Sequence, residues 1–214
     1  NIALAEAFQT IVYGRADVMV VGATGTRVHP IKALHTRQTE ELAVDGDDPA
    51  RASRPFDRDR TGMVLGEGAG AVILEDLGRA VARGATLYAE VLGGASSSVV
   101  GRDRQADRES ALCNAIEVTL RHAGRTPQDI GFVNAHGLGT RRADVEEAAA
   151  ITRCFGDRSS PIPVVAPKGH FGNLGAGSGL VELIAGILAM GRGRLFPTLN
   201  YEHRDPDCSL AVVT

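Results

Sequence analysis

The chain has 214 residues, of which 43% are hydrophobic, and its formal net charge at pH 7 is −3. This length and apolar fraction are sufficient for a globular protein with a proper hydrophobic core. The small net charge and basic runs of at most two residues argue against a nucleic-acid groove or an anionic membrane surface as the main partner. Small molecules or proteins are the expected partners.

The cysteines are three in number, widely spaced, and lack the paired spacing of metal ligands. We interpret Cys113, Cys154 and Cys208 as reduced thiols of a cytoplasmic protein, and we expect no metal or cofactor. Residues 1–12 lack the basic segment of a signal peptide, and no apolar run approaches the roughly 20 residues of a membrane span. The first residue is not methionine and the chain opens in a helix-like pattern, so a fragment or a processed chain is expected.

Hydrophobic periodicity predicts helices alternating with short apolar strands. The predicted elements are helices at 2–13, 77–83, 109–123, 143–155 and 177–190, strands at 17–22, 71–75, 87–92, 130–135 and 162–166, a turn at 45–49, and an extended piece from residue 196. The first two strands are continuous apolar runs, as expected for strands buried on both faces. This order of helices and strands indicates an α/β layered sandwich.

Two glycine runs qualify as phosphate-binding loops only if a helix follows them directly. The run at 66–70 precedes a strand, so we interpret it as close backbone packing. The run at 175–179 opens a helix, where it could hold an anionic or carbonyl group or let the helix press against a neighbour.

Two segments share one layout, in which a strand ends in a small-residue loop with an imidazole or amide and a helix follows. They are residues 130–137, with His136, and residues 164–173, with His170 and Asn173. Sites in α/β folds assemble at the carboxyl ends of strands, so these side chains are predicted to meet over one substrate.

The first segment resembles the Asn-Ala-His-Gly-Thr-x-Thr…Gly-Asp…Glu signature of elongating β-ketoacyl-acyl carrier protein synthases and polyketide ketosynthases. Here it reads Asn134-Ala135-His136-Gly137-Leu138-Gly139-Thr140, with Asp144 and Glu147 downstream. Further landmarks of that family match in order at 52–57, 66–70, 168–182 and 196–200, so the resemblance covers essentially the whole chain. It implies a thiolase-like fold, with residues 1–95 forming the end of the N-terminal half and residues 96–214 forming a truncated C-terminal half.

The resemblance also implies a chemistry. A cysteine thiolate takes an acyl group from a carrier protein, malonyl-carrier protein loses carbon dioxide, and the resulting carbanion attacks the acyl thioester. In the family, two neutral side chains donate hydrogen bonds to the enolate oxygen formed on decarboxylation and so stabilise it. His136 falls on the first donor by direct motif match, and its Nε2 is the expected donor atom.

The second donor is where this sequence departs from the family pattern. Counting without gaps between Lys168 and Glu182 places Asn173 at the histidine position, and an amide can donate to an oxyanion much as an imidazole can. His170, three residues earlier, is the alternative. The resemblance further implies that Lys168 pairs with Glu147 to fix the two donor loops, with Asp144 in the same supporting cluster.

No cysteine of this chain matches the nucleophile frame, and the family's carboxyl-terminal glycine-rich loop has no counterpart. These residues alone are therefore expected to be inactive in condensation. A non-catalytic partner similar to chain-length factors is the competing interpretation, and a thiolase is a weaker third one. By resemblance, the partners are acyl carrier protein, malonyl and acyl thioesters, and a second copy of the protein joined through the strand near 17–22. Arginines 102, 104 and 108 are either a carrier-protein contact or solvated surface charge.

Overall fold

The computed structural model describes residues 1–44 and 48–214, and the predicted turn at 45–49 lies partly outside them. The helices are α1 (Ile2–Val12), α2 (Pro30–Thr39), α3 (Leu77–Ala82), α4 (Arg108–His122), α5 (Arg141–Phe155), α6 (Lys168–Phe171) and α7 (Ser178–Arg192). The strands are β1 (Val18–Thr26), β2 (Glu67–Glu75), β3 (Val133–Asn134), β4 (Pro163–Val165) and β5 (Ala211–Val212). Within the described residues, none of the helices is long and apolar enough to cross a membrane.

The first sheet is an antiparallel pair, β1 with β2, and only one of its faces is covered. On that face α1 and α7 pack against the strands, and Ala7, Val21 and Leu180 form a small core. On the opposite face Val20 is 73% exposed and Ile73 is 70% exposed. The prediction of strands buried on both faces is therefore wrong: side chains alternate along a strand, and the described residues cover one side only.

The glycine run at 66–70 lies mostly inside β2 instead of preceding it. A Cβ added to Gly68 would lie 2.8 Å from Leu174 Cδ1, and one added to Gly70 would lie 3.2 Å from the Cβ of Leu180. A Cβ added to Gly66 would lie 2.3 Å from the backbone oxygen of Phe171, which cannot move aside as the end of a side chain can. The prediction of close backbone packing is thus confirmed.

The second sheet is parallel, with β4 between β3 and β5. Helix α5 packs on this sheet, where Ile151 and Phe155 join Val164 and Ala166 in the main core. Helix α7 contacts β3 as well as β1 and β2, so it joins the two sheets. This arrangement is the predicted layered α/β sandwich. The division into halves at residue 95 stays a prediction.

Two local differences separate the structure from the sequence patterns. The strand predicted at 87–92 does not form: no described strand pairs with this segment, and Leu87 and Tyr88 are 51% and 74% exposed. An apolar run needs a hydrogen-bonded neighbour to become a strand. Helix α2 was not predicted, because most of its side chains are exposed and give it no apolar stripe.

Candidate functional site

The loop that bears His136 follows directly from β3. Ala135 N donates to Val165 O across 2.9 Å, which continues the pairing with β4 to the edge of the loop. Gly137 then adopts a φ of +47°, and a Cβ there would lie 2.7 Å from that of Ala166. Glycine therefore meets both the backbone and the space requirements at this turn.

Glu147, on α5, binds the backbone of the loop that bears His136. One carboxylate oxygen accepts from His136 N across 2.7 Å, and the other accepts from Gly137 N across 2.8 Å. Burial raises the pKa of Glu147 to about 7, although the two amide donors act in the opposite direction. The carboxylate thus fixes the position from which the His136 side chain projects.

Asp144, one turn earlier on α5, is completely buried and fastens the same loop to the segment before β2. It accepts from Gly139 N across 3.0 Å and from Phe56 N across 2.8 Å. Burial raises the pKa of Asp144 to about 6, against the lowering effect of these donors and of Arg60. These contacts hold the loop in place, and the support of the catalytic site by Asp144 stays a prediction.

Arg60 is a member of this cluster that the sequence did not reveal. Arg60 is 2% exposed, and its guanidinium lies 3.7 Å from Asp144, forms an ion pair with Asp205, and donates to the carbonyl of Thr140 across 3.2 Å. Arg60 lies in a polar stretch of sequence that resembles a solvated loop, and no periodic pattern marks it as buried.

Lys168, which is 1% exposed, is the centre of the site. Its Nζ lies 3.0 Å from His136 Nδ1, donates to His136 O across 2.7 Å, and forms an ion pair with Glu182 on α7. The predicted pairing of Lys168 with Glu147 is wrong. Both carboxylate oxygens of Glu147 are taken up by backbone amides, whereas Glu182 faces the ammonium group.

These contacts determine the protonation of His136. An ammonium group has no lone pair, so Nδ1 must accept from Lys168, and the ring proton is therefore placed on Nε2. Burial, followed by the charges of Lys168 and Arg27, lowers the pKa of His136 to about 4. The imidazole is consequently neutral near pH 7 and presents an N–H donor on the side away from Lys168.

Asn173 is buried, and its carboxamide has a defined orientation. Oδ1 accepts from Gly175 N across 3.0 Å and from the Ser178 hydroxyl across 3.3 Å. Within the described ranges, Nδ2 contacts only the weakly accepting Met63 Sδ, at 3.2 Å. The turn therefore binds the carboxamide oxygen, whereas the amide N–H group has no strong acceptor among the described residues.

His170, the alternative second donor, is exposed and engaged elsewhere. Its Nε2 lies 2.8 Å from Pro197 O, and its ring packs edge-on against Phe196 at 5.7 Å between centroids. Among the described residues, the hydrogen bonds to Lys168 and the His136 ring involve neither His170 nor Asn173. The convergence of His136 and Asn173 therefore stays a prediction.

Asn134, the first residue of the motif, ties β3 to α7. Its Nδ2 donates to Glu182 O across 2.6 Å, while its Oδ1 is buried without a partner among residues 1–44 and 48–214. This contact places Glu182, and with it Lys168, next to the strand that leads to His136.

The three cysteines are free. Cys113 and Cys208 are buried, and burial raises the pKa of both Cys154 and Cys208 to about 12. A thiol with so high a pKa is protonated near pH 7 and is a poor nucleophile. Cys154 and Cys208 are therefore unsuited to act as nucleophiles.

Asp57, Asp59 and His203 form a group whose polar atoms lie within 4.8 Å of one another. The Asp57 carboxylate already accepts from the backbone amides of Asp59, Glu202 and His203. These hydrogen bonds indicate that the Asp57 carboxylate stabilises the loop and that its lone pairs are already occupied by backbone amides.

Comparison with known proteins gives consistent matches. Residues 1–80 match the family model for the N-terminal domain of β-ketoacyl synthases, and residues 88–202 match that for the C-terminal domain. The tetracenomycin polyketide synthase ketoacyl synthase alpha subunit of Streptomyces glaucescens is 44% identical over 204 residues, which cover 94% of this chain and 47% of the relative. The 3-oxoacyl-[acyl-carrier-protein] synthase 2 of Synechocystis sp. is 37% identical over 218 residues, with coverage of 99% and 51%.

Solved structures give the same result. A type II polyketide ketosynthase in complex with its acyl-carrier protein superposes with a TM-score of 0.91 at 31% identity, over 98% of this chain and 52% of that one. The ishigamide ketosynthase/chain length factor gives 0.86 at 33% identity, over 99% and 50%. The chain spans about half the length of the curated relatives it matches.

Proposed function

The chain belongs to the β-ketoacyl synthase family, and we propose that it serves the decarboxylative Claisen condensation of malonyl-acyl carrier protein with a cysteine-bound acyl group. Its fold is the thiolase-like α/β fold of ketosynthases. The protein would act as an acyltransferase, a 3-oxoacyl-acyl carrier protein synthase, in fatty acid or polyketide synthesis. Relatives from both settings are similar to it.

The observation that supports this proposal best is the contact between Lys168 and His136. When the bond between C2 and the carboxylate carbon of a malonyl thioester breaks, carbon dioxide leaves and the electron pair passes to C2 and the thioester oxygen. A neutral imidazole with its proton on Nε2 can donate a hydrogen bond from Nε2–H to that oxygen. One such donor is typically worth about 3 kcal/mol in a dry site.

For the second donor we propose Asn173. Its oxygen is held by the turn at Gly175 and Ser178, so its amide nitrogen is the end available to an enolate. His170 is the weaker candidate because its Nε2 already contacts the carbonyl of Pro197. The resulting set is one imidazole and one carboxamide in place of two imidazoles.

The acyl-accepting thiolate is not among the three cysteines of this chain. Burial keeps the pKa of Cys154 and Cys208 far above 7, and Cys113 is itself buried. We therefore expect that these 214 residues alone form no acyl thioester. A nucleophile supplied by residues beyond them would complete the reaction.

The competing function is that of a non-catalytic partner, similar to a chain-length factor. The presence of Asn173 at a position where the family pattern has a histidine favours it. The retained set of His136, Lys168 and Glu182 favours the enzyme, because a subunit that decarboxylates nothing has no use for a neutral imidazole held by a buried ion pair.

The test is decarboxylation of malonyl-acyl carrier protein by the protein in its full natural length, measured as carbon dioxide release. We expect release above background, and an approximately hundredfold loss for His136→Ala. Equal rates in wild type and variant would refute the enzymatic proposal and leave the partner role. The decarboxylation assay does not depend on the condensation step, so a missing acyl acceptor would not obscure it.

The proposed partners are acyl carrier protein and a second copy of the protein, and the proposed location is the cytoplasm. Among the described residues, one edge of β1 pairs with β2 and its other edge pairs with no strand. A dimer through β1 would use that edge.

A further inference from the structure

Arg27 lies one residue beyond β1 and faces the candidate site. Along β1 the exposed positions alternate with the covered ones, and Gly25 is on the covered side: a Cβ on Gly25 would collide with the backbone of Leu174. Arg27 follows two residues later, on the same side. The sequence pattern offered no reason to select it.

The Arg27 side chain rests on the turn that orients Asn173. A Cβ on Gly175 would lie 2.7 Å from Arg27 Nε and 3.4 Å from its Cγ and Cδ. Gly175 N is also the group that binds the Asn173 oxygen. The guanidinium therefore stands beside the proposed second donor, and its charge is close enough to contribute to the lowered pKa of His136.

The guanidinium has no compensating charge within the described part of the chain. It forms no ion pair within 4.0 Å with a carboxylate of residues 1–44 or 48–214, whereas the buried Arg60 and Lys168 each have one. A half-buried arginine without a carboxylate, beside the turn that holds Asn173, is suited to binding an anionic ligand bidentately.

We propose that Arg27 binds the carboxylate of the malonyl thioester and so selects the malonyl unit over uncharged acyl thioesters. This inference rests on the proposed function. The proposed donors act on the thioester oxygen at one end of the malonyl group, and Arg27 acts on the carboxylate at the other end.

The charge balance of the reaction gives this role a distinctive kinetic signature. The carboxylate bears a full negative charge in the bound substrate and loses it as carbon dioxide departs. An ion pair with Arg27 is therefore strongest before the transition state and weakens during the step. It lowers KM without raising kcat, in contrast to the donors on the enolate oxygen, which raise kcat.

The experiment uses the full-length protein with Arg27→Gln and, as matched control, Arg37→Gln, an exposed arginine on α2. Decarboxylation is measured with malonyl-N-acetylcysteamine, which has no phosphate, and with malonyl-phosphopantetheine. Binding of butyryl-N-acetylcysteamine, which has no carboxylate, is measured by calorimetry. For Arg27→Gln we expect KM for both malonyl thioesters to rise about tenfold, the effect of roughly one charge-assisted hydrogen bond, with kcat unchanged or higher.

The butyryl thioester should bind equally to wild type and variant, Arg37→Gln should resemble wild type, and Arg27→Lys should recover much of the lost affinity. An unchanged KM, or a fall in kcat alone, would overturn the inference. An effect confined to the phosphopantetheine substrate would also overturn it and would assign Arg27 to the phosphate.

If the wild type decarboxylates neither substrate, the proposed function fails. Calorimetry with malonyl-N-acetylcysteamine then tests the role of Arg27 by itself. If Arg27→Gln weakens binding of the malonyl thioester and not of the butyryl thioester, the role is supported. If wild type and variant bind the malonyl thioester equally, the role is refuted.

Discussion

Lys168 donates from its buried ammonium group to Nδ1 of His136 across 3.0 Å, although the two residues lie 32 positions apart in the chain. The same ammonium group donates to the carbonyl of His136 and forms an ion pair with Glu182. One lysine thus orients the imidazole and fixes its tautomer, while burial, followed by the charges of Lys168 and Arg27, keeps the ring neutral.

Replacement of Lys168 by Met should abolish this control over His136. Nδ1 would lose its donor, so the Nε2–H tautomer would no longer be favoured, and Glu182 would be left without its cation. We expect decarboxylation to fall about hundredfold, as for the loss of one oxyanion donor. Carbon dioxide release measures the rate, and ¹⁵N NMR of the His136 ring reports the tautomer. The exposed Lys32→Met is the control, and a Lys168→Met variant with an unchanged tautomer would contradict this role.

The lowered pKa of His136 predicts an acid limit for activity. Protonation of Nδ1 would place an N–H against the Lys168 ammonium group and displace the ring, so decarboxylation should persist below the ordinary histidine pKa of 6.5 and decline as pH falls through about 4. The unfolded chain binds a proton at His136 between these values and the folded chain does not, so this group makes stability decrease as pH falls from about 6.5 to 4. A pH profile of carbon dioxide release over the range in which the protein stays folded tests this. Loss of activity with a midpoint near 6.5 would show that the imidazole is not held neutral.

The pKa of Glu147 is raised to about 7, so this group affects the pH dependence of stability in the opposite direction. The folded protein binds the proton more tightly than the unfolded chain, so this contribution to stability is complete below about 4.5 and is lost as pH rises through about 7. Glu147→Gln cannot titrate, so the Tm of wild type relative to the variant should fall between pH 5 and 8. Scanning calorimetry of both proteins measures it. Glu90→Gln, at an exposed position, is the matched control substitution.

Asn173→Asp is a nearly isosteric test of the second donor. The carboxylate cannot donate and would repel the enolate, so we expect at least a hundredfold loss of decarboxylation, whereas Asn173→His should retain substantial activity. His170→Ala serves as the control and should change the rate less than threefold, because the His170 ring contacts Pro197 and Phe196. A greater loss in His170→Ala than in Asn173→Asp would assign the role to His170.

Arg60→Leu should destabilise the protein through the loop that bears His136. The change leaves Asp144 and Asp205 without their cation, and removal of one partner of a buried ion pair typically costs about 3–5 kcal/mol. Urea unfolding gives the free energy of unfolding. Arg37→Leu, on the exposed side of α2, should remain within about 0.5 kcal/mol of wild type. A similarly small effect of Arg60→Leu would indicate that the carboxylates find other partners.

Local sequence was sufficient to predict most helices, the strands that lead to His136 and Asn173, and the close packing at the glycine run of β2, whereas the short helix α6 before Asn173 was not predicted. Periodicity, glycine and the small-residue loops act within a few positions of one another, so their consequences can be read along the chain. The resemblance to ketosynthases rested on the same short segments, and the family and the layered fold are confirmed.

Tertiary structure alone decided which charges meet. Lys168 pairs with Glu182 and not with Glu147, because α7 packs against β3 and the loop amides occupy Glu147. Arg60 is buried because segments 80 or more positions apart close around it. The exposed face of β1 and the missing strand at 87–92 likewise depend on neighbours. Ion pairing and burial are properties of three-dimensional proximity, which residue order does not specify, whereas backbone preferences are properties of the order itself.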